Sequence, residues 1–376
     1  MRILHLYADN KGEWNSSEWR CIIPAEAIKR AGEHQVRYLW IWEALKPSAN
    51  AHFEWAQLII VERMGWNVDD ILHVADFIRR LKSIGKKVML DFDDAYHLMP
   101  PSVSTSVLWR QNLVQIPDGV EAPRVDATVH WESGKKVRAF RVKEPILTQF
   151  RKTLRAVDGF STPSEVLTGD FAHLNPRHYV IRNYPDLSRP EWHTKKRGHG
   201  DQIIIGWGGG STHYESFRNS GVIPALRQII RQYPSVRFLI CTSDQSVVKA
   251  LGLPPEKLVL EKFRPFREWP PILDNFDIGI APLAGKYDDR RSWIKALEYG
   301  VKGIPWVASD APPYQQCTGG IRVKNKPKHW YKWLAKLVEG TNLRSILAKE
   351  GQDWARDQGI DDHIEERLAV YEEILA

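Results

Sequence analysis

Short apolar runs alternate with amphipathic stretches along most of this chain of 376 residues. Ile3–Tyr7, Val36–Trp40, Leu58–Val61 and Lys87–Leu90 predict strands. Between them, Arg20–Arg30 predicts a helix with Ser16 or Ser17 as its cap, and Val68–Ile84 predicts a second. Ala156–Ser161 and Tyr179–Ile181 add two strands. The rhythm then begins again. Ile203–Ile205, Val236–Cys241, Leu258–Leu260 and Phe276–Ala281 read as strands, Tyr214–Gln232 as a helix, and the chain from His329 onward as helical. Strands separated by helices argue for parallel sheets covered on both faces. Two such series in succession predict an α/β protein of two domains. Tyr184–Gly200, with two prolines and a Lys-Lys-Arg-Gly-His-Gly run, reads as the linker. The expected domains are therefore residues 1–185 and 186–360, with a closing helix over 361–376.

One segment, Met99–Glu144, lacks the alternation. Val125–Trp131, a Glu132-Ser133-Gly134 turn and Lys135–Lys143 predict an inserted β-hairpin. Its returning arm carries Lys135, Lys136, Arg138, Arg141 and Lys143, and Val129, Trp131, Val137 and Phe140 supply apolar and aromatic side chains. Basic and aromatic residues interleaved on an extended arm suit a phosphate backbone and exposed bases. The same lysines also suit a sheet edge protected from aggregation.

Hydrophobic content of 43% and charged content of 26% are ordinary for a globular protein, and the length lets each domain bury its own core. The three cysteines, Cys21, Cys241 and Cys317, lie far apart and form no metal-spaced pair, which fits a reducing compartment and predicts a cytoplasmic protein. No apolar run approaches the ~20 residues of a membrane span. The opening MRILHLYADN turns polar too soon for a signal peptide and reads as a first buried strand. A net charge of +7 favours an anionic partner: nucleic acid, an acidic membrane face or a nucleotide-sugar.

The richest chemistry lies in Arg290–Asp310, RRSWIKALEYGVKGIPWVASD, which reads as a helix, a Gly-Ile-Pro turn and a short strand. Arg291, Lys295 and Glu298 stand at i, i+4 and i+7, which would put them on one helical face. A carboxylate can accept hydrogen bonds from the vicinal hydroxyls of a ribose, and a guanidinium can clamp a diphosphate. A solvated charged stripe is the alternative. Upstream, Ile203–Ser211 is a strand running into Gly208, Gly209 and Gly210 and then a helix, a pattern whose amides can approach phosphate. Asp91-Phe92-Asp93-Asp94 after a strand could chelate a metal on a diphosphate or cap a helix. No Gly-x-Ser-x-Gly elbow and no His-rich cluster occurs.

The Arg290–Asp310 stretch resembles the donor-binding signature of glycosyltransferases with two facing Rossmann-like domains, the GT-B fold, and specifically family 4. Members carry a basic residue before Ser, then Lys, Leu-Glu-Tyr and Gly-Ile-Pro-Val-Val-Ala-Ser. Here Arg291-Ser292, Lys295, Leu297-Glu298-Tyr299, Gly303-Ile304-Pro305 and Val307-Ala308-Ser309 match. Many relatives have a second Glu eight positions before the first, where this chain has Arg290. Gly209-Gly210-Ser211 followed by His213 resembles the family's donor-side loop. Ser16–Arg20 before Pro24-Ala25, the Asp93-Asp94 pair, and Asn183 with Pro185 resemble first-domain and interdomain segments.

The resemblance implies hexosyl transfer, with retention, from a nucleoside-diphosphate sugar to an acceptor hydroxyl. Arg291, Lys295 and Glu298 would be the catalytic trio, with Glu298 on the ribose. Arg291, Lys295, Arg290 and the Gly208–Gly210 amides would meet the charge of the leaving diphosphate, so that no metal is strictly required. Ser211, His213 and Ser292 would complete the donor side. Arg20, Asp93 and Asp94, with Lys135, Lys136 and Arg138 of the hairpin, would lie on the acceptor side, the acceptor being a saccharide or lipid-linked saccharide. The closing helix would cross back to the first domain. Two alternatives stay open: an acceptor base in hydroxymethylated phage DNA, and a nucleotide-sugar-binding module without catalysis.

Overall fold

The computed structural model describes residues 1–9, 15–44, 46–63, 74–103, 106, 109, 112–116, 125–130 and 136–376. The chain divides into two units, Met1–Asn183 with Ile360–Ala376, and Tyr184–Gly359. Among the described residues no helix is long and apolar enough to cross a membrane.

The first unit holds β1 (Arg2–Tyr7), β2 (Gln35–Trp40), β3 (Leu58–Glu62) and β4 (Lys87–Asp91). A small antiparallel sheet follows, of β5 (Leu113–Gln115), β6 (Ala127–His130) and β7 (Lys136–Arg141). β8 (Gly159–Thr162) and β9 (His178–Val180) complete the main sheet, which is parallel throughout in the order β2-β1-β3-β4-β8-β9. The second unit is a parallel sheet in the order β12-β11-β10-β13-β14-β15. Its strands are β10 (Ile203–Gly208), β11 (Val236–Cys241), β12 (Leu258–Glu261), β13 (Ile278–Ala281), β14 (Trp306–Ser309) and β15 (Gly320–Val323). Each sheet has its strand order reversed once, between β1 and β3 in the first unit and between β10 and β13 in the second. In open α/β sheets the crevice at the carboxyl ends of such strands is where ligands bind.

The central strands are apolar because helices cover both faces. Leu58–Val61 and Val88–Leu90 are completely buried. In the second unit Ile205, Trp207, Phe238, Ile240, Ile278 and Val307 pack with Leu226 and Ile229 of the helix Val222–Gln232 and with Trp330, Leu334 and Leu337 of Pro327–Glu339.

Several expectations are corrected. Ala156 does not begin a strand; it ends a helix, Ile146–Ala156, whose buried Ile146, Phe150 and Leu154 stand at i, i+4 and i+8. Tyr214–Gln232 is two helices, divided at Gly221, whose φ of +82° disfavours any residue with a Cβ. Neither Ser16 nor Ser17 caps Arg20–Arg30. Glu18–Ile22 is a turn of π-helix leading into Ile23–Ala31, and the Ser17 hydroxyl donates to Glu62 instead. The expected linker is packed into the second unit: Trp192 is buried against Phe266, and Lys302 reaches Thr194 Oγ1 at 2.7 Å. The hairpin strands pair, and β5 adds a third strand that the pattern did not announce. The start of Val68–Ile84, Trp131, the 132–134 turn and Lys135 lie outside the described residues.

Candidate functional site

In the second unit the reversal between β10 and β13 brings two loops together. β10 ends in glycines for two different reasons. A Cβ on Gly206 would lie 2.3 Å from the Phe276 ring, and one on Gly209 would lie 2.6 Å from the ring of Trp207. Both are therefore packing glycines. A Cβ on Gly210 would meet nothing within 4 Å, so the space beside that residue stays open. The Gly209 amide donates to the Cys241 carbonyl at 3.0 Å, which removes it from the expected phosphate cradle.

The facing loop, after β13, is organised by Asp288. Its buried carboxylate accepts from Arg291 Nε at 2.8 Å, the Ser216 hydroxyl at 2.6 Å and the Ala284 amide at 2.7 Å. Nη2 of Arg291 donates to the Thr212 carbonyl at 3.0 Å and to its hydroxyl at 2.8 Å. One guanidinium thus spans the reversal, joining the glycine-rich loop to the Asp288–Arg291 turn. Tyr287 lies under it, with its ring centre 4.9 Å from the guanidinium carbon.

Arg291 is not on the helix. It is extended (φ −66°, ψ 167°), and the helix runs over Ile294–Val301, so the shared face of Arg291, Lys295 and Glu298 does not form. Lys295 and Glu298 form an ion pair of 2.7 Å, in which the Glu298 side chain is 0% and that of Lys295 11% exposed. A solvated stripe is excluded. Burial pulls the Lys295 ammonium below its usual value, against the opposing pull of Glu298. Its Nζ lies 5.3 Å from the Trp269 ring centre. Glu298 is sealed and holds Lys295, so the geometry favours it as an anchor over a direct ribose contact. His213 is kept neutral well below its usual value, by burial first and then by the charges of Arg291 and Lys295. Its Nδ1 is buried with no protein partner.

The rest of the signature builds the support. The Tyr299 hydroxyl donates to the Ile280 carbonyl at 2.8 Å, and its ring fills the place of a side chain at Gly279. Ser309 accepts from the Leu283 amide at 2.9 Å and donates to Asn325 at 2.7 Å, fixing the start of the β13 loop. Ser292 is half-buried beside Arg291. Arg290 donates to the Lys286 carbonyl at 2.9 Å. Ser211 opens the short turn Ser211–His213. Asp288, Thr212 and Trp269 were not anticipated. The Asp288-Asp289-Arg290-Arg291 run was the one local hint, and it says nothing of burial.

Glu298→Ala would strand a buried ammonium. It is expected to cost about 3–5 kcal/mol of stability in denaturant unfolding, and Glu298→Gln clearly less. A loss below about 1 kcal/mol, the range of exposed pairs, would show the pair to be solvated.

In the first unit the corresponding reversal carries a carboxylate cluster. Arg20, completely buried, donates to both oxygens of Asp91 (2.6 and 2.7 Å), to the Ile181 carbonyl (2.5 Å) and to Asn183 Oδ1 (2.9 Å). Ser161 also donates to Asp91, at 2.5 Å. Arg20 is therefore a scaffold residue rather than an acceptor contact. Asp91, held below its ordinary value by Arg20 in spite of burial, has both oxygens engaged by Arg20 and Ser161, which argues against a metal there. The turn Tyr96–Leu98 that follows has Ala95 at its N-cap, which brings no capping side chain. Burial and then Asp94 push the Asp93 carboxyl up to about 6. Glu62, which the sequence reading passed over, accepts from the Ala8 amide at 2.8 Å and from Ser17. Burial pushes its carboxyl up to about 8. On β7, Lys136 and Arg138 are exposed whereas Val137, Ala139 and Phe140 are buried.

No protein-family model matches this chain. No curated protein matches it in sequence. Solved structures do resemble it. Sucrose-phosphate synthase from Thermosynechococcus elongatus matches with a TM-score of 0.60 at 11% identity, over 99% of this chain and 98% of that one. The UDP-forming trehalose-phosphate synthase of Burkholderia xenovorans gives 0.59 at 11% identity, over 100% and 99%. This is the GT-B fold. TarM of S. aureus, in complex with UDP among other ligands, gives 0.50 at 12% identity; the match takes in 85% of this chain, which spans about half (55%) of that one. At such identities the likeness is one of fold.

Proposed function

We propose that this GT-B protein is a glycosyltransferase of the family 4 type, taking a sugar from a nucleoside-diphosphate sugar and passing it to a saccharide or lipid-linked saccharide hydroxyl with retention. One observation carries the proposal: the Arg291 guanidinium bridges the two loops at the strand reversal, beside a buried lysine and a neutral histidine. Two cations at the carboxyl ends of parallel strands suit a diphosphate. The neutral His213, with a buried nitrogen lacking a protein partner, has a hydrogen bond left for a ligand. Such catalysis stabilises charge on the departing diphosphate, and Arg291 and Lys295 supply that stabilisation without strict need of a metal. Glu298 acts through Lys295. The UDP named for similar structures supports a nucleotide donor.

The saccharide is favoured over a DNA base because Phe140, the aromatic of the described basic arm, is fully buried and has no face for stacking. Three buried free thiols suit the cytoplasm.

Thermal unfolding with a panel of nucleoside diphosphates tests the donor site. The cognate one, at a hundredfold over its Kd, is expected to add about 2.7 kcal/mol, and its monophosphate less. If no nucleoside diphosphate raises the transition, the proposal fails. Release of free sugar from the cognate nucleotide-sugar then separates an enzyme from a binding module.

A further inference from the structure

The second unit carries a surface that the donor site does not use. Residues 323–338 include Lys324, Lys326, Lys328, Lys332 and Lys336 and no Asp or Glu, a local charge of +5 within a chain of +7. All five lysines are exposed. None has a carboxylate within ion-pair distance among the described residues. Lys328, Lys332 and Lys336 recur every fourth residue on the helix Pro327–Glu339, so they form a row rising about 6 Å per step. The opposite face of that helix, Trp330, Leu334 and Leu337, is locked into the core, so the row has a fixed bearing. His329, among these lysines, is held below its usual value, by lost solvent first and then by Lys328, Lys326, Lys324 and Lys332. The positive potential is therefore not neutralised locally.

The composition of the row decides between polyanions. All five cations are lysines, which act as hydrated point charges; arginine is the residue that forks onto a single phosphate or base edge. Trp333 is half-buried, and its ring is covered by Lys336 Nζ at 4.6 Å and approached by Lys332 Nζ at 5.8 Å. A tryptophan so covered offers little face for stacking on a base. A tryptophan ringed by lysines does suit the headgroup level of a bilayer, where the indole sits among polar groups and ammoniums meet lipid phosphates.

We propose that the lysine row Lys324–Lys336, with Trp333 at its centre, docks the protein onto an anionic lipid surface. This stands independently of the donor-site reading. Attraction is through summed charge, so affinity should fall roughly fivefold for each lysine removed, and on the order of a hundredfold for three.

Co-sedimentation of the full chain with vesicles tests this. The parent is expected to bind vesicles of equal phosphatidylcholine and phosphatidylglycerol, to ignore pure phosphatidylcholine, and to detach as salt rises. Lys328→Ala, Lys332→Ala and Lys336→Ala combined should melt as the parent does and lose most of the vesicle binding. Equal binding to both vesicle types, or undiminished binding by the triple variant, would overturn the proposal. So would displacement of the parent from vesicles by duplex DNA at matched phosphate concentration, which would assign the row to nucleic acid.

Discussion

Glu62→Gln is expected to melt at a higher temperature than the parent near pH 9 and at the same temperature near pH 4. Glu62 is fully buried at the β1–β3 reversal. One carboxyl oxygen, Oε2, accepts from Ala8 and Ser17, whereas Oε1 is buried with no partner. The proton therefore belongs on Oε1. Burial raises the carboxyl from 4.5 to about 8, with the bonds from Ser17 and Ala8 opposing and Asp93 and Asp91 adding. Between those values the folded chain keeps a proton that the unfolded chain has released, so stability falls as pH rises through the window. The loss levels off above the upper value at on the order of 5 kcal/mol. Glutamine keeps an acceptor for Ala8 and Ser17 and carries no charge to bury. Asp93 titrates in the same window and its charge adds to the rise of Glu62, so the difference between the two proteins reports Glu62 together with that coupling. Melting temperatures across pH decide the matter. A variant destabilised equally at every pH would mean that Glu62 is ionised in the folded protein.

In the proposed transfer, Arg291→Ala is expected to lower turnover by about 10²–10³-fold, the effect of losing one preorganised group that would meet the charge developing on the diphosphate. Affinity for the nucleoside itself should change far less, because the diphosphate gains charge only as the sugar departs. Arg291→Lys should recover part of the loss: the charge returns, but not the fork that binds Asp288 and Thr212 together. Steady-state kinetics with the cognate donor, beside a nucleoside titration, separates these effects. Parental turnover in Arg291→Ala would move the diphosphate clamp elsewhere.

What could be read beforehand follows the range of the interactions. Val236–Cys241 was legible to the residue, because the apolar run Phe238–Cys241, buried on both faces, marks a central strand in spite of the half-buried Arg237. Leu297, Tyr299 and Ser309 announced themselves as a motif, yet what they do is pack and tie loops. The Asp288 cluster was illegible, because Ser216 lies 72 residues away and the geometry comes from a loop rather than from helical phase. Arg20 misled for the same reason: its partners Asp91 and Asn183 are 71 and 163 residues distant, and nothing near Arg20 reveals that its charge is already met. Helix Ile146–Ala156 was hidden by its charged face, Arg151, Lys152 and Arg155, and by a last turn that leads almost at once into β8.

The first unit is made of two stretches of chain with the whole second unit between them. Its last piece, Ile360–Leu375, is not an appendage. Arg367, Tyr371 and Ile374 are buried, Tyr371 lies edge-on to His5 of the first strand, and the Ile374 side chain fills the place that a Cβ on Gly159 would take. During synthesis the second unit can therefore close as soon as it leaves the ribosome. The first, although its strands emerge earlier, must wait with that face uncovered until the chain has been made past residue 374. The half of the molecule that begins first is the half that finishes last.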